Sequence, residues 1–253
     1  MRIDLNSDVG ESYGAYRLGA DAAVMRSITS ANVACGYHAG DPGVMRETVR
    51  LARAAGVAIG AHPGFPDLVG FGRREMRVSP TDVEDMVLYQ IGALAAIARS
   101  EGVPIVHVKA HGALYNMAAR ERPLADAIAR AVRAFDPSLV LFGLPGSELL
   151  RAGEAEGLRV ASEGFADRAY APDGSLVSRT RPGAVIHDPH EVVRRSMKMV
   201  TEGRVTATDG SELSLEVSTL CVHGDTEGAH DLTRLLRHGL EQHGIEVRAV
   251  SLR

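Results

Sequence analysis

Short apolar segments alternate with longer segments of helical periodicity along the whole chain of 253 residues. Such alternation is typical of repeated strand–helix units built around a parallel sheet. The predicted strands span 2–6, 29–35, 57–61, 104–109, 138–143, 158–163, 218–223 and 246–250. The predicted helices span 42–55, 80–101, 122–135, 146–156, 189–202 and 227–243. Segment 204–217 has Asp209-Gly210 at its middle and is predicted to form an inserted β-hairpin.

Seven or eight strand–helix units in a chain of this length favour a barrel. We therefore predict a single α/β domain over residues 1–253, folded as a distorted (β/α) barrel of about seven parallel strands. An open doubly wound sheet is the alternative. The pairs Asp41-Pro42, Ser79-Pro80 and Asp188-Pro189 each place a capping residue before a proline, which predicts where three of the helices begin.

Charge and composition argue against several classes of protein. The chain has 28 basic and 32 acidic residues, so its formal net charge of -4 gives no reason to expect binding to nucleic acid or to an anionic membrane. No apolar run approaches the roughly 20 residues of a membrane-spanning helix, so we expect a cytoplasmic protein. Cys35 and Cys221 lack CxxC spacing, which predicts reduced core thiols. The sequence contains no GxxxxGK[ST] phosphate loop, GxGxxG loop or GxSxG elbow.

Polar side chains occupy strand positions where a parallel barrel normally places branched apolar ones. Alternate residues of a strand face opposite ways, so Asp4, Asn6 and Asp8 share one face of the first strand. By the same rule, His107 and Lys109 share one face of the fourth strand. We therefore predict a polar barrel interior or mouth that is built for chemistry.

Four histidines lie at the ends of predicted strands or just beyond them, namely His38, His62, His111 and His223. A single histidine is more often a hydrogen-bonded core residue, but four at strand ends indicate a site, because barrel enzymes carry their active sites there. Asp8 with His38 and His62 has the composition of a divalent-metal site. The set lacks the local spacing of HExxH, so we assign no metal ligands and leave a divalent metal open.

The candidate site combines acids, imidazoles and fixed cations. Lys109 is as well suited to a structural ion pair inside the barrel as to stabilising an oxyanion. Arg73 lies in a long loop, from which its guanidinium can clamp a carboxylate. The candidate catalytic residues are Asp8, His38, His62, Lys109 and His111. The candidate substrate-binding residues are Asn6, Asn32, Arg73, Glu163, Asp167, Arg168 and His223.

Six motifs occur in order along the chain: DLNSDVGES, SANVACGYHAGDP, GAHPGFPDLVGFGRR, VKAHGALYN, EGFADRAY and CVHGD. With these motifs the chain resembles the LamB/YcsF family, whose members are described as the A subunit of 5-oxoprolinase. The resemblance implies a distorted barrel similar to those of glycoside hydrolases and deacetylases. It also implies a complex with subunits B and C that converts the lactam 5-oxoproline to L-glutamate, with ATP as a co-substrate of the complex.

The resemblance suggests roles for the candidate residues. Asp8 or a nearby histidine activates water, Lys109 and glycine-loop amides hold an oxyanion or phosphate, and Arg73 holds the substrate carboxylate. Asp8→Asn and Lys109→Ala are then expected to suppress turnover with little change in thermal melting. Two alternatives stay open: a stand-alone metal-dependent amidase or deacetylase, and a non-catalytic subunit that binds a lactam. Which subunit binds ATP also stays open.

Overall fold

Seven parallel strands close into a barrel in the computed structural model, which describes residues 1–222 and 229–250. The strands in chain order are β1 Arg2–Val9, β2 Ser30–Ala34, β3 Ala58–His62, β4 His107–Val108, β5 Val140–Gly143, β6 Arg159–Phe165, β7 Arg204–Thr206, β8 Glu212–Ser214, β9 Thr219–Cys221 and β10 Glu246–Val247. Strands β1 to β6 pair in sequence, β6 pairs with β9, and β9 returns to β1. The predicted barrel is confirmed, and the open-sheet alternative is wrong because β9 joins the two edges.

The remaining strands lie outside this ring. β7 and β8 form an antiparallel pair, which confirms the predicted hairpin. β10 pairs with the start of β1 through Arg2↔Glu246 and Ile3↔Val247. β4 is shorter than predicted, and Pro104 at its predicted start has no N–H to donate. Backbone bonds from Val106 and Lys109 to β3 still hold this segment in the wall.

Helices cover the outside of the barrel and connect its strands. They are α1 Asp21–Val24, α2 Pro42–Ala55, α3 Pro80–Ser100, α4 Gly112–Ala118, α5 Arg122–Phe135, α6 Glu148–Ala155, α7 Pro189–Glu202 and α8 Ala229–Gln242. The sequence did not predict α1 and α4, because four and seven residues are too few to show a periodic pattern. Asp41, Ser79 and Asp188 accept backbone N–H bonds at the starts of α2, α3 and α7, as the capping pattern predicts.

The apolar core lies between the strands and the helices. Ile3, Ile59 and Val108 of the barrel wall belong to one buried cluster with Val49 of α2 and Leu94 of α3. The opposite faces of the strands meet inside the barrel, and there the polar side chains bond to one another. No helix in the described part of the chain has the length and apolar content to cross a membrane.

Candidate active site

Lys109 lies at the carboxyl end of β4, surrounded by groups that accept hydrogen bonds. Its Nζ is 2.9 Å from Asp8 Oδ1, 2.9 Å from Glu163 Oε1 and 3.0 Å from Cys221 Sγ. Burial alone lowers the pKa of Lys109, but the attraction of Asp8, Cys221 and Glu163 outweighs it and holds that pKa well above the ordinary value. Lys109 is therefore a permanent cation inside the barrel.

The Asp8 carboxylate is oriented by a chain of hydrogen bonds across the barrel. Its Oδ1 accepts from Lys109 Nζ and, at 2.8 Å, from Asn32 Nδ2. Asn32 Nδ2 also donates to Asn6 Oδ1 at 2.7 Å. The Asn32 Oδ1 atom lies 2.8 Å from His107 Nε2, so that histidine nitrogen carries the proton and donates. These contacts fix the direction in which the carboxylate points.

His107 occupies space that only a glycine in the neighbouring strand leaves open. A Cβ added to Gly60 would lie 2.1 Å from the His107 ring. The ring stacks on Phe142 with centroids 4.4 Å apart. Burial, with smaller contributions from Lys109 and His62, lowers the pKa of His107 to about 3, so the ring is neutral. The sequence placed His107 on the polar face but did not select it as a site residue.

Three more histidines and one glutamate form a second cluster beside Asp8. His62 Nε2 lies 2.9 Å from His111 Nδ1 and 3.3 Å from Asp8 Oδ2. Glu11 Oε1 lies 3.3 Å from His38 Nε2 and 3.4 Å from His111 Nδ1. The His38 and His111 rings stack with centroids 3.8 Å apart. Burial is the main cause that lowers the pKa of His38 and of His111 well below the ordinary value.

The loop before α3 supports this histidine cluster with an unusual backbone. Phe71 has a φ of 54°, in the left-handed region that a bulky residue rarely adopts. Its carbonyl oxygen lies 2.8 Å from His111 Nε2, and its ring packs edge-on against His38 and His111. Gly72 follows with a φ of 63°, and a Cβ there would lie 2.8 Å from the side chains of both histidines. The turn at Phe71 and Gly72 therefore packs directly against the two stacked histidines.

A cavity of about 330 Å³ opens above these groups, which is within the range of small-molecule sites. Four arginines lie around it, namely Arg73, Arg120, Arg168 and Arg179. Burial lowers the pKa of Arg168 to about 10, and the nearby positive charges of Arg179 and Arg73 add to this effect. Arg168 also donates from Nη2 to Val177 O at 2.5 Å, which ties it to the loop between β6 and α7. The cavity mouth is therefore rich in positive charge.

The structure places six candidate residues on the cavity wall and the others behind it or outside the described residues. Those on the wall are Asp8, His62, Arg73, Lys109, His111 and Arg168. Asn6, Asn32, His38, Glu163 and Asp167 are buried and are not part of the wall. His223 lies outside the described residues.

Besides His107, three side chains of the site were not selected from the sequence: Glu11, Tyr115 and Cys221. Glu11 contacts the histidines, and Cys221 contacts Lys109. Tyr115 donates to Glu163 Oε2 at 2.8 Å, and burial followed by the charge of Glu163 raises the pKa of that phenol well above the ordinary value. All three lie within the motifs DLNSDVGES, VKAHGALYN and CVHGD, so a search of each motif for ionisable side chains would have found them.

The chain is similar to known proteins over nearly its whole length. The chain is 58% identical over 248 residues to the A subunit of 5-oxoprolinase from Symbiobacterium thermophilum, covering 98% of this chain and 95% of the relative. The crystal structure of the lactam utilization protein from Thermus thermophilus superposes with a TM-score of 0.93 at 54% identity, covering 98% and 100% of the two chains.

A more distant solved structure shares the fold alone. T48 deacetylase superposes with a TM-score of 0.50 at 14% identity, covering 97% of this chain and 86% of the other. The predicted likeness to deacetylase barrels is confirmed. The model of the LamB/YcsF family matches residues 3–252, which is nearly the whole chain. The chain therefore belongs to the LamB/YcsF family.

Proposed function

We propose that this chain is the A subunit of an ATP-dependent 5-oxoprolinase and opens the lactam ring of 5-oxoproline to give L-glutamate. The observation that carries the proposal is the Asp8–Lys109 pair at the floor of the cavity, with Asp8 Oδ1 held 2.9 Å from the ammonium nitrogen. The names of the relatives support the same substrate class, since they refer to 5-oxoprolinase and to lactam utilization.

Asp8 is the proposed general base. Lys109 and Asn32 occupy its Oδ1 atom, so the carboxylate is held in one orientation at the edge of the cavity. A water molecule that attacks the lactam carbonyl carbon gives its proton to Asp8. The carbon–nitrogen bond of the ring then breaks, and the nitrogen takes up a proton as it leaves as an amine. The products are the amine and carboxylate groups of glutamate.

Lys109 acts in this proposal through its charge. Its ammonium group donates to Asp8 Oδ1, Cys221 Sγ and, at 3.3 Å, Asn6 Oδ1, and it forms an ion pair with Glu163. A fixed cation next to the reacting carbon stabilises the negative charge that develops on oxygen, and this effect is strong where water is excluded. Asn6, Asn32 and Glu163 lie behind the wall, so we now assign them to positioning Asp8 and Lys109 instead of to binding substrate.

The arginines at the mouth suit a substrate with more than one negative charge. Arg73 is the proposed clamp for the lactam carboxylate, and its guanidinium lies 4.8 Å from the Phe71 ring centre, which limits its freedom. Arg120, Arg168 and Arg179 leave further positive charge at the same mouth. This surplus fits a lactam that arrives with a phosphoryl group on its oxygen.

ATP enters the proposal through partner subunits. Ring opening of an unactivated lactam is slow because the amide is resonance-stabilised and its nitrogen is a poor leaving group. Phosphorylation of the lactam oxygen makes the ring carbon electrophilic. When water has attacked this carbon and the carbon–nitrogen bond has broken, the resulting acyl phosphate is hydrolysed by a second water to a carboxylate and inorganic phosphate. Since the sequence has no phosphate-binding loop, we assign ATP to subunits B and C. Cytoplasmic residence belongs to the same proposal, because it supplies ATP and keeps the buried thiols of Cys35 and Cys221 reduced.

The test measures glutamate release from 5-oxoproline by the chain mixed with subunits B and C, with and without ATP. We expect release only with ATP and all three subunits, and a loss of at least about 100-fold in Asp8→Asn. Asp173→Asn, in an exposed turn of the loop between β6 and α7, serves as the matched control and should be fully active.

Two other results would replace the proposal. Release by the chain alone without ATP indicates a stand-alone amidase. Full activity of Asp8→Asn in the complex indicates a subunit that binds the lactam while a partner performs the chemistry.

A further inference from the structure

Two histidine nitrogens of the site point toward each other. His62 Nδ1 lies 2.7 Å from the Lys109 carbonyl oxygen, and His111 Nε2 lies 2.8 Å from the Phe71 carbonyl oxygen. A carbonyl only accepts, so each of these nitrogens carries the ring's proton. His62 Nε2 and His111 Nδ1 therefore face each other, and they lie 2.9 Å apart. Two imidazole nitrogens that converge in this way can bind one cation.

Other donor atoms converge on the same point with the spacing of a coordination shell. Glu11 Oε1 is 3.4 Å from His111 Nδ1 and 3.3 Å from His38 Nε2. One ligand atom from each of Glu11, His38, His62 and His111 lies within 4.8 Å of all the others. Ligand atoms about 2.1 Å from an ion in a tetrahedral arrangement are roughly 3.4 Å apart. Small movements of the side chains would bring the four atoms to that geometry.

The charged groups in direct contact with the histidines or with Lys109 also favour a cation, whereas the arginines lie at the cavity mouth. Asp8, Glu11 and Glu163 offer three carboxylates, and Lys109 offers one ammonium, so these four groups have a formal sum of -2. All four are buried, and burying excess charge is costly. A divalent ion would bring that sum to zero.

We propose that His62 Nε2, His111 Nδ1 and Glu11 Oε1 bind one divalent transition-metal ion, with His38 Nε2 as a fourth ligand. Two or three imidazoles with one carboxylate suit Zn²⁺ and neighbouring first-row ions, whereas Mg²⁺ and Ca²⁺ prefer oxygen ligands. The carbonyl groups of Lys109 and Phe71 are the outer partners that ligating histidines usually have. A bound ion of this kind acts as a Lewis acid toward water or a carbonyl oxygen in the cavity.

The site does not depend on the lactam chemistry, so it is tested without substrate, ATP or other subunits. The purified full chain is treated with a chelator, dialysed and titrated calorimetrically with Zn²⁺, Co²⁺ and Mg²⁺. We expect one Zn²⁺ per chain, visible absorption bands of tetrahedral type for Co²⁺, and much weaker binding of Mg²⁺. His111→Ala and Glu11→Gln should each weaken Zn²⁺ binding by at least about 100-fold, since loss of an outer partner alone costs about 10–100-fold.

A matched control addresses adventitious binding by surface histidines. His190, His238 and His243 line a groove between α7 and α8, and His190→Gln with His243→Gln should leave the high-affinity binding unchanged. The proposal is overturned if the chelated wild type, shown by its melting transition to be folded, binds none of these transition-metal ions. It is also overturned if the groove variants remove the binding and His111→Ala does not. Crystals soaked in Zn²⁺ give a second measurement, since anomalous signal must lie between His62 and His111. A chain that binds the ion but gives inactive complexes would contradict only the proposed function. A chain that gives active complexes but binds no ion would contradict only this inference.

Discussion

Replacement of Lys109 by methionine tests whether its charge holds the site together. The substitution keeps an unbranched side chain one atom shorter but leaves Asp8 and Glu163 without the ammonium that contacts both at 2.9 Å. Removing one partner from a buried ion pair costs about 3–5 kcal/mol. For a chain of this size, each kcal/mol lowers the melting temperature by roughly 2–4 °C, so we expect a fall of about 6–20 °C at pH 7.

The pH dependence of this loss identifies its cause. Without Lys109, the folded-state pKa of at least one buried carboxyl group rises above the unfolded value of about 4. A raised carboxyl pKa costs stability above that folded value, and the cost disappears as the pH falls toward the unfolded value. The deficit of Lys109→Met should therefore shrink between pH 7 and pH 5. The wild-type Lys109 pKa lies well above its ordinary value, so this lysine stays charged throughout that range.

Chemical denaturation of both proteins from pH 5 to pH 8 measures the effect. The double variant Lys109→Met with Glu163→Gln is the matched control, and it should recover part of the lost stability because only one carboxylate remains. A Lys109→Met protein that melts within about 2 °C of the wild type, or with a deficit that does not vary with pH, would refute the electrostatic reasoning.

Three further variants test other parts of the fold. Gly60→Ala places a Cβ 2.1 Å from the His107 ring, so it should displace the support of Asp8, destabilise the fold by about 1–3 kcal/mol and reduce turnover. Gly92→Ala in α3, where a Cβ meets nothing within 4 Å, should instead stabilise by about 0.5–1 kcal/mol in the same melts. Burial raises the pKa of Asp4 from 3.8 to about 6, so its ionisation should cost about 3 kcal/mol as the pH rises through that interval. Denaturation of Asp4→Asn should lack this decline, and an unchanged decline would contradict it.

Local patterns explain why much of the fold could be predicted from the sequence. The starts of α2 and α7 are set by an aspartate that caps the helix and a proline at its first position, and both features are visible within a few residues. The closure of the barrel depends on β9 pairing with β1, which joins Thr219 to Asp4 across the length of the chain. No local pattern specifies that contact, so the sequence left an open sheet as an alternative.

The candidate site was predicted in its members more than in its geometry. Strand parity placed Asp8 and Lys109 each on the polar face of its own strand, and the structure shows the two residues in contact. Parity does not show that Glu163 approaches Lys109 from another strand. The sequence-based expectation that Lys109→Ala leaves melting unchanged therefore differs from the expectation drawn from the structure, since the cost comes from contacts made only in three dimensions.

The polar interior of the barrel has two layers, and these differ in the partners of their polar groups. In the lower layer, the Asp4 carboxylate accepts hydrogen bonds from the hydroxyl groups of Thr29, Ser30 and Thr219. Hydrogen bonds within the protein therefore stabilise the buried acid.

In the upper layer, His62 Nε2 and His111 Nδ1 face each other, and backbone carbonyl groups fix both rings in that orientation. Because this orientation brings the two nitrogens within 2.9 Å of each other and places Glu11 beside them, the upper layer suits the cation proposed above. Substitutions in the lower layer should accordingly change stability, whereas those in the upper layer should change ion binding and turnover.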